Sequence, residues 1–505
     1  MTDDLERLAN GVLWPGFFGT TAPQWLRDEL SDGLAGVVYF GQNVSDELSA
    51  LSADILAANP DALIGIDEEG GSVTRLESAS GSTVPGAAQL GLLDDLVASE
   101  RTGAELARRV RAVGANVVLG PVADVNTDPR NPVIGVRAFG DDPDLVSRHV
   151  VATIDGLQDA AVAACVKHFP GHGDTHLDSH HALPEITLDV NDIERVHLAP
   201  FRAAVEAGVD AVMTAHIVVP AWGEQPATLN PRVLGMLRDW GYDGVIITDA
   251  LDMAAIRETV GLGGGAALAL AAGADLLCIG NPTNPGDAAL PDQDERDFRA
   301  ARDGIVAALR DGSLPRERVE EAAARVATLA AKLRVAAAGA EEAEEAEEAF
   351  DAADIVRRVL TVSGEAPRAS DLAVIDARRR STLAVDSAGS YVAAALAGDG
   401  VRVRLDVAAA PIDDQDRVLD EMRAAAGTTV LLIDRPDTDD AQRALVERAA
   451  VRDAGAVVVN VGLPAVRPLP LPVVEVAAAS RLGAQLAREA LLGRFPVSQR
   501  TPRAG

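Results

Sequence analysis

Through the first two thirds of the chain, short runs of consecutive apolar and often β-branched residues alternate with longer stretches whose apolar positions recur every three to four residues. The first pattern suits a strand buried on both faces, the second an amphipathic helix. Strands are accordingly predicted near Gly11–Phe17, Gly36–Phe40, Ala62–Ile66, Asn116–Gly120, Ala163–Val166, Ala211–Thr214, Gly244–Thr248 and Asp275–Ile279. Eight strands, each followed by a helical stretch, match the count of a (β/α)8 TIM-type barrel. The polar positions agree with that reading. Asp67 follows "ALIGI", Asp124 follows "VVLGPVA", Lys167 and His168 follow "AACV", His216 follows "VMTA" and Asp249 follows "GVIIT". Each ends a different predicted strand, and barrel enzymes build their sites at that end.

The pattern changes at "AGAEEAEEAEEAFDAAD", residues 338–354, an acidic run of good helix formers that reads as a solvated connecting helix. Beyond it "STLAVDSAG", "VRVRLDVAA", "TTVLLIDRP" and "AVVVNVGLP" alternate with Ala- and Arg-rich helical stretches. The expected fold class is therefore α/β: a catalytic barrel over residues 1–335, an acidic helical linker over 336–355, and a smaller α/β sandwich domain over 356–505. The last part contains no histidine and no glycine-rich phosphate loop, so it offers no chemistry of its own.

Composition narrows the partners. Lys plus Arg number 45 against 77 Asp plus Glu, a formal net charge of −32, which would repel nucleic acid and anionic membrane alike. A small-molecule substrate fits better. No apolar run reaches membrane-spanning length and "MTDDLERLANGVLWPGFF" shows no signal-peptide core, so a cytoplasmic location is expected. The two cysteines, Cys165 and Cys278, sit inside apolar runs and read as small buried hydrophobes. Arginine fills almost every basic position, yet "KHFPGHGDTHLDSHHALP" (167–184) keeps one of only two lysines, Lys167. A compact ammonium, not a planar fork, is wanted there.

That segment also holds five of the eight histidines. His168-x-x-x-His172 has the spacing of a helical zinc motif, but Pro170, Gly171 and Gly173 break any helix between them, so the segment is a loop. No metal or other cofactor is expected, with a metal-dependent barrel hydrolase kept as the lesser alternative because loop ligands can still hold a metal. Asp178-Ser179-His180 and Asp174-Thr175-His176 each place a carboxylate two residues from an imidazole. Such a partner favours the imidazolium and fixes its tautomer, making a proton donor and acceptor. Spacing alone does not choose between the pairs. Asp249, ending a buried strand, could serve as nucleophile, base, sugar ligand or helix cap.

Five motifs, in order, closely resemble glycoside hydrolase family 3: "IDEEGGSVTRL" (66–76), "NPVIGVRAFGDDP" (131–143), "KHFPGHGDTHLDSH" (167–180), "MTAHIVVPAW" (213–222) and "ITDALDM" (247–253). They are most similar to its bacterial β-N-acetylglucosaminidase branch, and the likeness runs from "LWPGFFGTT" to about residue 335. The resemblance implies that Asp249 is the nucleophile and that Asp178 with His180 forms the acid/base dyad. It also implies that Asp67, Arg137, Lys167 and His168 bind the sugar hydroxyls, with His216 a further member of the site. The implied reaction is retaining hydrolysis of terminal β-linked N-acetylglucosamine. The alternatives are transfer to phosphate, as in phosphorylases that carry the same dyad, or action on another β-glycoside; the aglycone, muropeptide fragment or chitobiose, stays open.

Overall fold

The computed structural model describes residues 4–175, 184–341, 350–365, 369–379, 389–425 and 427–499. Two compact units interleave along the sequence. The first comprises Met1–Glu69, Ser99–Pro132 and Asp141–Ala349, the second Gly70–Ala98, Val133–Gly140 and Phe350–Gly505. Among the described residues no helix is long and apolar enough to cross a membrane.

The strands of the first unit are β1 (Leu13–Pro15), β2 (Gly36–Tyr39), β3 (Leu63–Ile66), β4 (Val117–Val118), β5 (Ala163–Phe169), β6 (Ala211–Thr214), β7 (Val245–Ile247) and β8 (Leu277–Gly280). From β2 to β7 they pair in sequence order, all parallel; β8 pairs parallel with β1, and an Ile247–Leu276 bridge ties the end of β7 to the start of β8. The result is an α/β unit with a curled parallel sheet. Its strands are buried along their whole length, which is why they read as unbroken apolar runs and not as alternations. Inside the curl, Trp14, Val38, Leu63, Met213 and Ile247 pack together, and Trp14 Nε1 donates to the Leu63 carbonyl at 2.7 Å. Gly65 is required by that ring, since a Cβ there would lie 2.3 Å from it. Truncating a buried aromatic of this kind costs about 3–5 kcal/mol.

Helices fill the returns between strands. Pro143–Asp159 is typical: the Asp142 side chain caps it by accepting from the Asp144 and Leu145 amides, proline opens the first turn, and Val146, Val150, Ile154 and Leu157 face inward. At the opposite end from the polar strand termini, the fully buried Asp275 carboxylate is held by Arg238, Arg318 and Arg325. Removing one partner of so buried a cluster is costly, which suits a stability role at the N-terminal end of β8.

The second unit contains β9 (Thr361–Ser363), β10 (Leu372–Asp376), β11 (Arg402–Arg404), β12 (Thr428–Ile433), β13 (Val457–Asn460), β14 (Val473–Glu475) and β15 (Ser498–Gln499). They form one sheet in the order β11-β10-β12-β13-β14-β9-β15, parallel except where β14 meets β9. Successive residues of β10 enter two different cores, Leu372 and Val374 on one face, Ala373 and Ile375 on the other. Residues 70–98 belong to this unit through specific bonds: Gln89 Nε2 donates to the Val476 carbonyl at 2.9 Å, the Ala479 amide donates to Ser72 Oγ at 2.9 Å, and Arg481 pairs with Glu77 at 2.7 Å.

Two features differ from the sequence expectation. Strand β5 runs on through Lys167 and His168 to Phe169, its register slipping between Val166 and Phe169, because the segment after β4 runs alongside and pairs with it through Val122 and Lys167. In the second unit, β10 lies at "LAVID", where no strand was expected, and the expected "STLAVDSAG" strand falls almost wholly outside the described residues.

Candidate active site

Asp67 follows β3 and Lys167 lies within β5, both beside the unit's interior. Lys167 Nζ stands 2.7 Å from Asp67 Oδ1 and 2.7 Å from Glu69 Oε1, and its side chain is 3% exposed. A buried ammonium demands such partners, because leaving it unpaired costs several kcal/mol. The compact charge expected at this position is therefore used as a two-carboxylate hub. Asp67 is the more open carboxylate, at 17%.

Beside it, the fully buried Asp124 organises both neighbouring imidazoles. One oxygen accepts the His168 amide at 3.3 Å and the His172 amide at 2.6 Å, and the other lies 2.8 Å from His168 Nδ1. A carboxylate only accepts, so His168 carries its proton on Nδ1. Burial alone would push the Asp124 carboxyl up, but the imidazoles of His168 and His172 outweigh it and hold it below the ordinary aspartate value.

Residues 170–175, directly after β5, are packed against their neighbours. His172 Nδ1 lies 2.8 Å from Thr175 Oγ1, and Asn131 Nδ2 donates to the His172 carbonyl at 2.7 Å. The glycines of "PGHGD" have a steric reason: a Cβ on Gly173 would stand 1.8 Å from the Val125 carbonyl, and one on Gly171 2.8 Å from His197 Cβ. His168 and His172 meet edge to face at 6.0 Å between ring centres, each tied to its own partner. Among the described residues no group of three His, Cys, Asp or Glu side chains has the arrangement of a metal site.

Burial drives the His172 imidazole down from 6.5 to about 4, with Asp124 opposing. The unfolded chain takes up this proton near pH 6.5, the folded chain not until about pH 4. Stability from this group is therefore complete above pH 6.5 and drains away as the pH falls towards 4. By pH 5 the loss should reach about 2 kcal/mol. Urea unfolding at pH 7 and pH 5 checks this: His172→Gln should lose less stability over that interval than the unmodified chain, and equal losses would refute it.

Asp249 follows β7. Its Oδ1 accepts the Ala250 amide at 2.7 Å, and its own amide points to Thr214 Oγ1 at 3.4 Å. Asp252 accepts from Asn284 Nδ2 at 2.7 Å. His216, at the end of β6, is fully buried with Nδ1 2.9 Å from Thr228 Oγ1 and Nε2 2.8 Å from the Ala250 carbonyl. Asp67, at the end of β3, and Lys167 with His168, in β5, thus gather across β4, which lies between those two strands. Arg137 belongs to the second unit, where it is buried and donates to the Val133 carbonyl at 3.1 Å. Asp178 and His180, like His176, lie outside the described residues.

Glu69 and the hub role of Asp124 were not assigned from sequence. Asp124 had a signal, its place at a strand end. Glu69 had only its neighbourhood, "IDEEGG", in which nothing marks the third acidic residue over the second.

Residues 20–329 match the family model described as the glycosyl hydrolase family 3 N terminal domain. The chain is 37% identical over 310 residues to a β-hexosaminidase of Xanthomonas oryzae pv. oryzae, covering 58% of this chain and 91% of that one. It is 34% identical over 267 residues to β-hexosaminidase A of Pseudoalteromonas piscicida, of which it spans 44%. Among solved structures, a family 3 β-N-acetylglucosaminidase from Paenibacillus sp. superposes with a TM-score of 0.82 at 29% identity, over 99% of both chains.

Proposed function

The chain belongs to glycosyl hydrolase family 3, and we propose that within it the protein is a retaining β-N-acetylglucosaminidase. One observation carries the reading: a buried Lys167–Asp67–Glu69 hub and the Asp249 turn stand at the C-terminal ends of parallel strands, in a chain similar from end to end to a β-N-acetylglucosaminidase. In this reading the first unit is a (β/α)8 barrel and the second a smaller α/β sandwich.

A sugar ring offers hydroxyls that both donate and accept. Asp67 supplies acceptors and Lys167 a point-charge donor, while His168 presents Nε2 once Asp124 has taken Nδ1. Asp249 bonds to the anomeric carbon as the leaving oxygen departs with a proton from His180. Water then attacks the same carbon, gives its proton back to His180, and frees the Asp249 carboxylate. Asp178 holds His180 in the tautomer this exchange needs. The sequence calls for no metal or cofactor, because a carboxylate, a proton carrier and water suffice.

A panel of aryl β-glycosides, with and without phosphate, tests the reading. The N-acetylglucosaminide should exceed the glucoside in kcat/KM by at least about tenfold, the margin a pocket gains by recognising one substituent. Free N-acetylglucosamine of retained anomeric configuration should form at a rate indifferent to phosphate. Equal kcat/KM for the two sugars, or accumulation of a glycosyl phosphate, would overturn it.

A further inference from the structure

His216 carries the last strand-end imidazole, and its hydrogen bonds point away from a sugar-binding role. A backbone carbonyl only accepts, so the 2.8 Å contact with Ala250 requires the proton on Nε2. The ring's other nitrogen faces the Thr228 hydroxyl at 2.9 Å, and that hydroxyl lies 2.8 Å from Thr214 Oγ1. Thr214 Oγ1 in turn receives the Asp249 amide. With Nδ1 as acceptor, the donors run one way: Asp249 N–H to Thr214, Thr214 to Thr228, Thr228 to His216, and His216 to the Ala250 carbonyl. The Thr228 proton is shared with the Ala215 carbonyl at 3.0 Å. This chain starts on the amide of residue 249 and ends on the carbonyl of residue 250. Between those two points, the Ala250 amide holds Asp249 Oδ1 at 2.7 Å.

We propose that His216 is a positioning residue for the nucleophile and not a sugar ligand: it fixes the Ala250 peptide, which fixes one carboxylate oxygen of Asp249 and so the direction in which the other attacks. The inference rests on Asp249 being the nucleophile. A side chain acting this way affects the reaction of bound substrate and leaves ground-state affinity nearly untouched, because displacing a reacting atom by about 1 Å costs up to about a hundredfold in rate.

The test is the rate at which a fluorinated slow N-acetylglucosaminide labels the enzyme at saturation, followed by intact mass and peptide mapping. The dissociation constant of N-acetylglucosamine is measured alongside. His216→Leu should slow labelling by about 10–100-fold while affinity stays within about threefold. His216→Gln keeps an amide donor towards Ala250 and should restore labelling to within about fivefold of the unmodified chain. Thr228→Val, which removes the donor to His216 Nδ1 and keeps the His216 side chain itself, should slow labelling in the same way by about three- to tenfold. If His216→Leu does not fold, Thr228→Val decides, and an unchanged labelling rate in it overturns the proposal. So does a loss of affinity beyond about tenfold in both His216 variants with labelling at saturation intact, which is how a sugar ligand behaves. A label on some residue other than Asp249 in the unmodified chain is a separate failure, that of the nucleophile assignment.

Discussion

Asp249→Asn is expected to lower kcat/KM by at least about three decades, about 4 kcal/mol of transition-state stabilisation, and to leave no glycosyl-enzyme detectable. An amide has nearly the size and shape of the carboxylate but cannot form the ester, so the loss falls on chemistry and not on folding. The native Oδ1 already accepts the Ala250 amide, and the asparagine carbonyl can take over that bond. Affinity for N-acetylglucosamine should therefore change little. Asp249→Ala extends the test. Azide is small enough to enter the space left by the carboxyl, and attack from that face would give a glycosyl azide of inverted configuration. Recovery of turnover with that product supports the assignment; a fluorinated substrate labelling a different carboxylate would sink it.

The second large effect concerns the proton. His180→Ala should slow cleavage of a natural disaccharide by about two to four decades, the usual range for removing a general acid and base. Formation of the glycosyl-enzyme from a nitrophenyl glycoside should slow far less, because a nitrophenolate leaves without protonation. This dependence on the leaving group separates loss of a proton donor from general damage to the site. His176→Ala is the control and should leave the dependence nearly unchanged. Should His176→Ala show the selective loss instead, Asp174–His176 is the working pair, and the assignment of Asp178–His180 is wrong.

What could be read from the sequence follows from what makes a local pattern. Buried parallel strands leave apolar runs, so β1 to β8 were visible, as were the polar residues at their ends. The run around β5 was cut short at Val166 because Lys167 is charged. Its burial depends on Asp67 and Glu69, about a hundred residues away, and no local pattern reports such a partner. The same holds for Asp124, whose three bonds go to residues 168 and 172. "LAVID" passed unnoticed as a strand because the arginines after it, Arg378 to Arg380, make the segment look exposed. In fact Arg378 is buried against Asp376. The glycines after Phe169 read only as helix breakers, whereas Gly173 is fixed by the approach of the Val125 backbone. Composition shows that a glycine is present and not which neighbour requires it.

The interleaving of the two units carries a consequence for biosynthesis. The chain passes between them at Gly70, Ser99, Val133, Asp141 and Phe350. Ser72 therefore leaves the ribosome 407 residues ahead of Ala479, the amide it accepts, and Glu77 waits similarly for Arg481. At translation speeds of about 5–20 residues per second, that gap lasts roughly 20–80 s. Through that interval Gly70–Ala98 and Val133–Gly140 are tethered at both ends to a first unit whose strands are already emerging in order, with their own sheet not yet made. A nascent chain stalled short of Val476 would leave Ser72, Glu77 and Gln89 without these late partners, so the last tenth of the message governs when the Gly70–Ala98 loop finds its place.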